Sequence, residues 1–188
     1  MSKSNLKLLI TEQEIQKKVT ELAKVISEEI KLQHNPEPPI MVCVLKGGIM
    51  FFTELIKNMT VNLEIEFFEA QSYTKNRTAG NVKINKDTLK NVKGRVVYIV
   101  DDMVDSGSTM SEIITRLSDK GAGYIKTVTL VNRKDNTYDI DHICFPNMGK
   151  DWFVGFGFDD DTGTCRNYKN LYGAPPIEKT GENVEKTK

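Results

Sequence analysis

A chain of 188 residues is long enough to bury one core of ordinary size without disulfides or a structural metal. Its 26 basic residues balance its 26 acidic ones, so no chain-wide field favours nucleic acid or an anionic membrane, and any anion site must be built locally. The three cysteines, Cys43, Cys144 and Cys165, are widely spaced with no Cys-x-x-Cys pair, which argues against a disulfide framework or a zinc site and for free thiols. The N-terminus lacks the uninterrupted apolar stretch of a signal peptide or membrane span, so a cytoplasmic chain with no membrane partner is expected.

Thr11 and Glu14 have capping-box spacing, and Ile15, Val19, Leu22, Ile26 and Ile30 recur at helical intervals, predicting an amphipathic helix from about 12 to 33. The cluster His34-Asn35-Pro36-Glu37-Pro38-Pro39 must break it. Ile40 to Leu45 then reads as a buried strand, ending at Gly47-Gly48. Ile49 to Met59 carries a helical stripe of Met50, Phe51, Leu55 and Ile56, and Val61 to Phe68 reads as a second strand, which completes a βαβ unit. Gln71 to Lys90 is polar and turn-rich and is expected to form a long mobile loop. Val96 to Val100 is an apolar strand that ends in Asp101-Asp102, Ile113, Ile114 and Leu117 mark a helix stopping at Gly121, and Ile125 to Val131 is the next strand.

Short apolar runs near His142 to Phe145 and Trp152 to Phe158 add further strands, and the Pro-, Glu- and Lys-rich tail from 174 to 188 is expected to be disordered. The pattern predicts one α/β domain over 1–188, an open, mainly parallel twisted sheet flanked by helices. A small hood is expected from about 1–11 and 135–173. His34 and His142 have no Ser or Cys partner at a telling spacing and read as structural.

In open parallel sheets ligands bind beyond the carboxyl ends of the strands, so the residues after each apolar run carry the chemistry. The strongest signal follows Val96–Val100: Asp101, Asp102 and Asp105, then Ser106-Gly107-Ser108-Thr109 opening onto a helix. Hydroxyls and unpaired backbone N–H groups at a helix start make a phosphate-monoester site, and Gly107 lets the backbone come close. Gly-x-x-x-x-Gly-Lys-Ser/Thr and Gly-x-Gly-x-x-Gly are both absent, which excludes an ordinary nucleotide-triphosphate loop and a dinucleotide fingerprint. A second anion loop is Lys46-Gly47-Gly48, where the turn brings N–H groups and a cation to one place. Ser72-Tyr73-Thr74 taken alone is a flexible connection, and the single Trp152 taken alone is a core residue.

The segment from Val96 to Thr109 resembles the phosphoribosyl-pyrophosphate signature of the type I phosphoribosyltransferase family: hydrophobic strand, two acids, two apolar residues, Asp-Ser/Thr-Gly-x-Thr. The resemblance implies that Asp101 and Asp102 address the ribose hydroxyls and Mg2+, while Asp105, Ser106, Gly107, Ser108 and Thr109 form the 5′-phosphate loop. It also implies that Asp105 manages a proton at N7 of a 6-oxopurine. Lys46-Gly47-Gly48 resembles the pyrophosphate loop of hypoxanthine-guanine members, in which the Lys-Gly bond is often cis, and Ser72-Tyr73 resembles their closing lid. Trp152 stands where an aromatic stacks on the purine, Phe153 where main-chain groups meet its edge, Asp159 near the purine 2-position and a second magnesium, and Arg166 at pyrophosphate.

Two positions depart from the family pattern. Asp101 stands where many members carry Glu, and Arg133 stands where they carry a lysine donating to the purine O6, with Lys134 the alternative donor. The expected activity is transfer of phosphoribosyl from phosphoribosyl pyrophosphate to a 6-oxopurine, with Mg2+ as cofactor and a homodimer or homotetramer as the family's usual assembly. A xanthine-guanine preference, or a regulator that senses phosphoribosyl pyrophosphate and binds nucleic acid, are the alternatives.

Overall fold

A computed structural model describes residues 6–72, 82–87, 91–160 and 162–174. The elements are β1 (Lys7–Ile10), α1 (Glu12–Leu32), β2 (Ile40–Leu45), α2 (Ile49–Lys57), β3 (Glu64–Ser72), β4 (Val82–Asp87), β5 (Val96–Met103), α3 (Ser108–Asp119), β6 (Tyr124–Arg133), β7 (His142–Met148), β8 (Trp152–Val154) and β9 (Leu171–Ala174). The main sheet runs β4-β3-β2-β5-β6-β7, and all its neighbours are parallel except β4 on β3. A second, antiparallel sheet of order β1-β9-β8 supplies the hood.

Period-two alternation in the central strands explains why both faces are covered. On β2, Met41 and Cys43 join the cluster that holds Ile15, Val19, Ala23 and Ile26 of α1 and Phe51, Phe52 and Leu55 of α2. Ile40, Val42 and Val44 face the other way, into the cluster of Met110, Ile113 and Leu117 of α3. The hood belongs to the first cluster through Ile10, Phe153 and Leu171. Burial of Cys43 and Cys144 pushes both thiols up to about 12, so each behaves as a small apolar group.

The topology fixes where a ligand can sit. From β2 the chain crosses through α2 to β3 on one side, and from β5 it crosses through α3 to β6 on the other. Adjacent strands whose connections diverge open a crevice at their carboxyl ends. Cys43 is level with Val100, so the turn after β2 and the acids at the end of β5 lie side by side.

Several sequence expectations need correction. The stretch from Gln71 to Lys90 is not one loop, because the backbone of Val82–Asp87 pairs antiparallel with β3, Val82 opposite Ser72. Val82 and Ile84 alternate with polar neighbours, and two apolar residues are too few to stand out as a run. The strand expected at Val61 to Phe68 begins at Glu64 and ends at Ser72. The run Trp152 to Phe158 is a strand only as far as Val154, because Gly155 and Gly157 take φ +95 and +105 and turn the chain. His142–Met148 is the last strand of the main sheet, so the hood's second segment starts after it. β1 and β9, four residues each, were not recognised as strands, and Ala174 closes β9 while the rest of the tail lies outside the described residues.

The opening helix follows its sequence signal: Glu14 N–H donates to Thr11 Oγ1 at 3.3 Å, and Thr11 N–H donates to Glu14 Oε2 at 2.8 Å. Thr11→Ala removes this capping box and is expected to lower the free energy of unfolding by about 1 kcal/mol in urea titrations, with the same slope as the parent chain.

Candidate active site

The turn after β2 is built for close approach. Gly48 N–H donates to Val44 O at 3.2 Å, and a Cβ on Gly48 would lie 2.7 Å from Val44 O and 3.3 Å from Asp101 Cα. A Cβ on Gly47 would lie 2.0 Å from Asp102 Oδ2. Gly48 therefore requires glycine because it meets fixed backbone, whereas Gly47 meets only the movable Asp102 side chain, and the turn seats directly on the acidic end of β5. Lys46 beside them is exposed. A non-proline cis peptide is present, but at Leu45–Lys46, one bond earlier than the Lys-Gly bond that the family resemblance suggested.

At the end of β5, Asp102 N–H donates to Asp101 Oδ1 and Met103 N–H to Asp102 Oδ1, each at 2.8 Å. Burial, and then the neighbouring Asp102 charge, push the Asp101 carboxyl well above the usual carboxylate range. Burial also raises Asp102, opposed by hydrogen bonds from Asp101 and the Met103 N–H and by the Arg166 charge. Proximity and burial together make a second negative charge on this pair costlier than the first. Such a pair suits a hard cation: Mg2+ takes oxygen ligands, keeps several waters and is held by one or two carboxylates together with substrate oxygens.

The two helices that start in the crevice share a feature absent from α1. Gly48 caps α2 and Gly107 caps α3, neither with a side-chain cap, and neither first turn carries an acid. α1, by contrast, is capped by Thr11 and has Glu12 and Glu14 in its first turn. Uncapped first turns leave backbone N–H groups and the positive end of the helix dipole available to anions. Gly107 reaches its position with φ +78, and Ser106 Oγ and Ser108 Oγ lie 2.6 Å apart on the exposed rim of the same turn. Asp105 is exposed and Thr109 half-buried there.

The hood completes the crevice. A Cβ on Gly157 would lie 2.1 Å from Gly47 O, so the Gly155–Phe158 turn touches the turn after β2. Arg166 donates to Gly157 O and to Asp159 Oδ2, each at 2.5 Å, and its charge reaches Asp102. Asp159 and Arg166 are therefore one ion pair at the crevice. Trp152 is 47% exposed, with its indole N–H donating to Asp159 O at 3.1 Å, which leaves a ring face free for stacking. Phe153 is buried. Arg133 lies 4.8 Å over the Phe153 ring and donates to Gly149 O at 2.8 Å and Asp151 O at 3.2 Å, so it ties the turn between β7 and β8 to the end of β6. Ser72 ends β3, and Tyr73 lies outside the described residues.

Sequence reasoning missed three residues that shape this site. Asp160 accepts from the backbone N–H and hydroxyl of both Thr162 and Thr164, which holds its carboxyl well below the usual range and folds the turn that delivers Arg166. The pattern Asp-x-Thr-x-Thr carries the signal, since short polar side chains fold such turns. Asn136 and Tyr138, after β6, contact the phosphate-loop segment and give no motif signal of their own.

The two glycines after β2 should fail differently when changed to alanine. Gly48→Ala drives a methyl group into the Val44 carbonyl and the β5 backbone and is expected to lower the melting temperature. Gly47→Ala meets only the Asp102 carboxylate, which can rotate away, so thermal unfolding should stay within a few degrees of the parent chain while activity falls by at least about tenfold from a displaced acid. Calorimetry and steady-state kinetics on the two variants separate these outcomes.

Residues 9–161 match the phosphoribosyl transferase domain family. Among similar proteins, the hypoxanthine-guanine-xanthine phosphoribosyltransferase of Tritrichomonas foetus is 31% identical over 169 residues, covering 88% of this chain and 87% of that protein. The hypoxanthine-guanine phosphoribosyltransferase of Streptococcus pyogenes serotype M3 is 32% identical over 169 residues, covering 88% and 89%. A solved structure of hypoxanthine phosphoribosyltransferase from Trypanosoma cruzi, in complex with the product IMP, superposes with a TM-score of 0.83 at 26% identity, covering 94% of this chain and 97% of that one. This chain belongs to the phosphoribosyltransferase family, among its hypoxanthine-guanine members.

Proposed function

We propose that this phosphoribosyltransferase acts in purine salvage, moving the 5-phosphoribosyl group from phosphoribosyl pyrophosphate to N9 of hypoxanthine or guanine and releasing pyrophosphate. One observation carries the reading: two uncapped, acid-free helix starts face one crevice, with an acidic pair between them and an exposed indole at its hood side. A substrate with a phosphate at one end of a ribose and a pyrophosphate at the other, and a planar base to join to it, uses all four features.

In this reading Ser106 to Thr109 hold the 5′-phosphate, and Lys46, Gly47, Gly48 and Arg166 receive the pyrophosphate. Asp101 and Asp102, with Asp159 at a second position, would hold Mg2+, which when bound neutralises phosphate charge. The bond from the anomeric carbon to pyrophosphate oxygen breaks as the bond to N9 forms. Asp105, exposed above the phosphate loop, takes the proton of the base at N7. Trp152 stacks on the purine and Phe153 offers main-chain groups to its edge. The free thiols of the chain and the absence, among the described residues, of any helix long and apolar enough to cross a membrane are compatible with a cytoplasmic enzyme. The expected assembly remains a homodimer or homotetramer.

Arg133 bears on base preference. Its guanidinium is engaged with the Gly149 and Asp151 carbonyls rather than extended as a lysine would be, so it acts on the base through the turn it holds as well as through any hydrogen bond to O6.

An ultraviolet assay with Mg2+ and phosphoribosyl pyrophosphate, offering hypoxanthine, guanine, xanthine, adenine, uracil and orotate separately, tests the function. Turnover confined to 6-oxopurines is expected. Saturable binding of phosphoribosyl pyrophosphate with no turnover on any base would instead identify a sensor. Asp105→Ala should lower kcat by about 10²–10⁴-fold, and near-normal turnover would remove Asp105 from proton transfer. Arg133→Lys should reorder kcat/KM among hypoxanthine, guanine and xanthine while leaving KM for phosphoribosyl pyrophosphate near that of the parent enzyme.

A further inference from the structure

The turn before α3 has few bonds of its own: Gly107 takes φ +78 with no side-chain cap, and Ser106 and Ser108 bond to one another on the exposed rim. The connection from β6 to β7 supplies support through two side chains. Asn136 Nδ2 donates to Val104 O at 2.7 Å and to Asn132 Oδ1 at 2.8 Å, while its Oδ1 accepts from Tyr138 N–H at 2.9 Å. Val104 immediately precedes Asp105, and Asn132 immediately precedes Arg133. One carboxamide therefore ties the first peptide of the phosphate loop to the strand end that carries the base-side arginine. The Tyr138 N–H that it accepts from brings the phenol ring against Gly107, where a Cβ would lie 2.1 Å from Tyr138 Cδ2. The Tyr138 hydroxyl reaches Ser111 Oγ in the first turn of α3 at only 3.4 Å, so the ring face rather than the hydroxyl does the work.

We propose that Asn136 and Tyr138 are positioning residues for the phosphoribosyl site: Asn136 fixes the carbonyl before Asp105, and Tyr138 backs Gly107 so that the Ser106–Thr109 N–H groups converge on the 5′-phosphate. The inference rests on the phosphate-loop reading given above. It assigns the β6–β7 connection, which touches no substrate itself, the job of setting affinity for phosphoribosyl pyrophosphate. It also makes the Asn132–Asn136–Val104 chain the physical link between the base side and the phosphate side of the crevice. Both residues are half-buried, and Tyr138 also packs against the cluster of Met110, Ile113 and Leu117, so the melting temperature is measured beside binding for each variant.

The test uses Asn136→Asp and Tyr138→Leu. Aspartate keeps the shape and the acceptor for Tyr138 N–H but sets an anion against two oxygens, and leucine removes the flat ring. Each variant is expected to raise KM for phosphoribosyl pyrophosphate and weaken ribose 5-phosphate binding, measured by calorimetry, by at least about tenfold, with KM for hypoxanthine changed less. Tyr138→Phe should restore parental values, because the ring is kept. A merely structural role predicts the reverse pattern: a lowered melting temperature with ribose 5-phosphate affinity unchanged. Ribose 5-phosphate affinity within twofold of the parent in both variants overturns the inference, and if Asn136→Asp does not fold, Tyr138→Leu decides alone, with failure of both to fold counting as the structural outcome. A parent chain that binds ribose 5-phosphate but makes no nucleotide would instead overturn the function proposed above and leave the binding comparison intact.

Discussion

The fold depends on one close approach: the turn after β2 lies against the end of β5 with no space for a side chain between them. Gly48 meets the Val44 carbonyl and the Asp101 backbone, Gly47 meets the Asp102 carboxylate, and Gly157 brings the hood onto Gly47 O. Three segments far apart in the chain are thus locked at one point. Because β2 and β5 are the strands whose crossovers diverge, that point is also where the parallel sheet opens a crevice. The same absence of side chains that permits the contact lets the start of α2 come up against the acidic end of β5.

Electrostatics divides the crevice into complementary parts. The helix starts at Gly48 and Gly107 present positive dipole ends with no acid in the first turn, whereas α1, away from the crevice, satisfies its own start with Thr11 and Glu14. Between the two open starts sits an acidic pair that burial makes reluctant to ionise fully. A cation or a set of hydroxyls would relieve that reluctance, and the Asp159–Arg166 ion pair supplies the nearest counter-charge from the hood.

The hood and the β6–β7 connection show how supporting residues set the site. Asp160 folds its own turn by accepting four hydrogen bonds from Thr162 and Thr164, which delivers Arg166 to Gly157 O and Asp159. Arg133 bonds the Gly149 and Asp151 carbonyls and lies over the ring of Phe153, the residue after Trp152. In both places a buried or half-buried polar group fixes a neighbour that faces the crevice.

The alternation of strands and helices, the acidic pair, the turn that opens α3 and the glycine turn were all legible in the sequence, because each is written in local pattern: apolar runs of strand length, helical spacing, and Asp-Ser-Gly-Ser-Thr opening a helix. The sequence did not reveal β4, whose two apolar residues suffice only because β3 is there to pair with, nor β1 and β9, which are strands only through each other. The end of the strand at Val154 was hidden because glycines within an apolar run do not announce a positive φ. Tertiary structure alone decided that Arg166 faces Asp159, that Arg133 bonds backbone carbonyls, and that Asn136 and Tyr138 stand behind Gly107. The separations run from seven residues, for Arg166 and Asp159, to thirty-two, for Asn136 and Val104. Side chains there satisfy whatever polar group or gap the assembled layers bring to them, and no local periodicity encodes that partner.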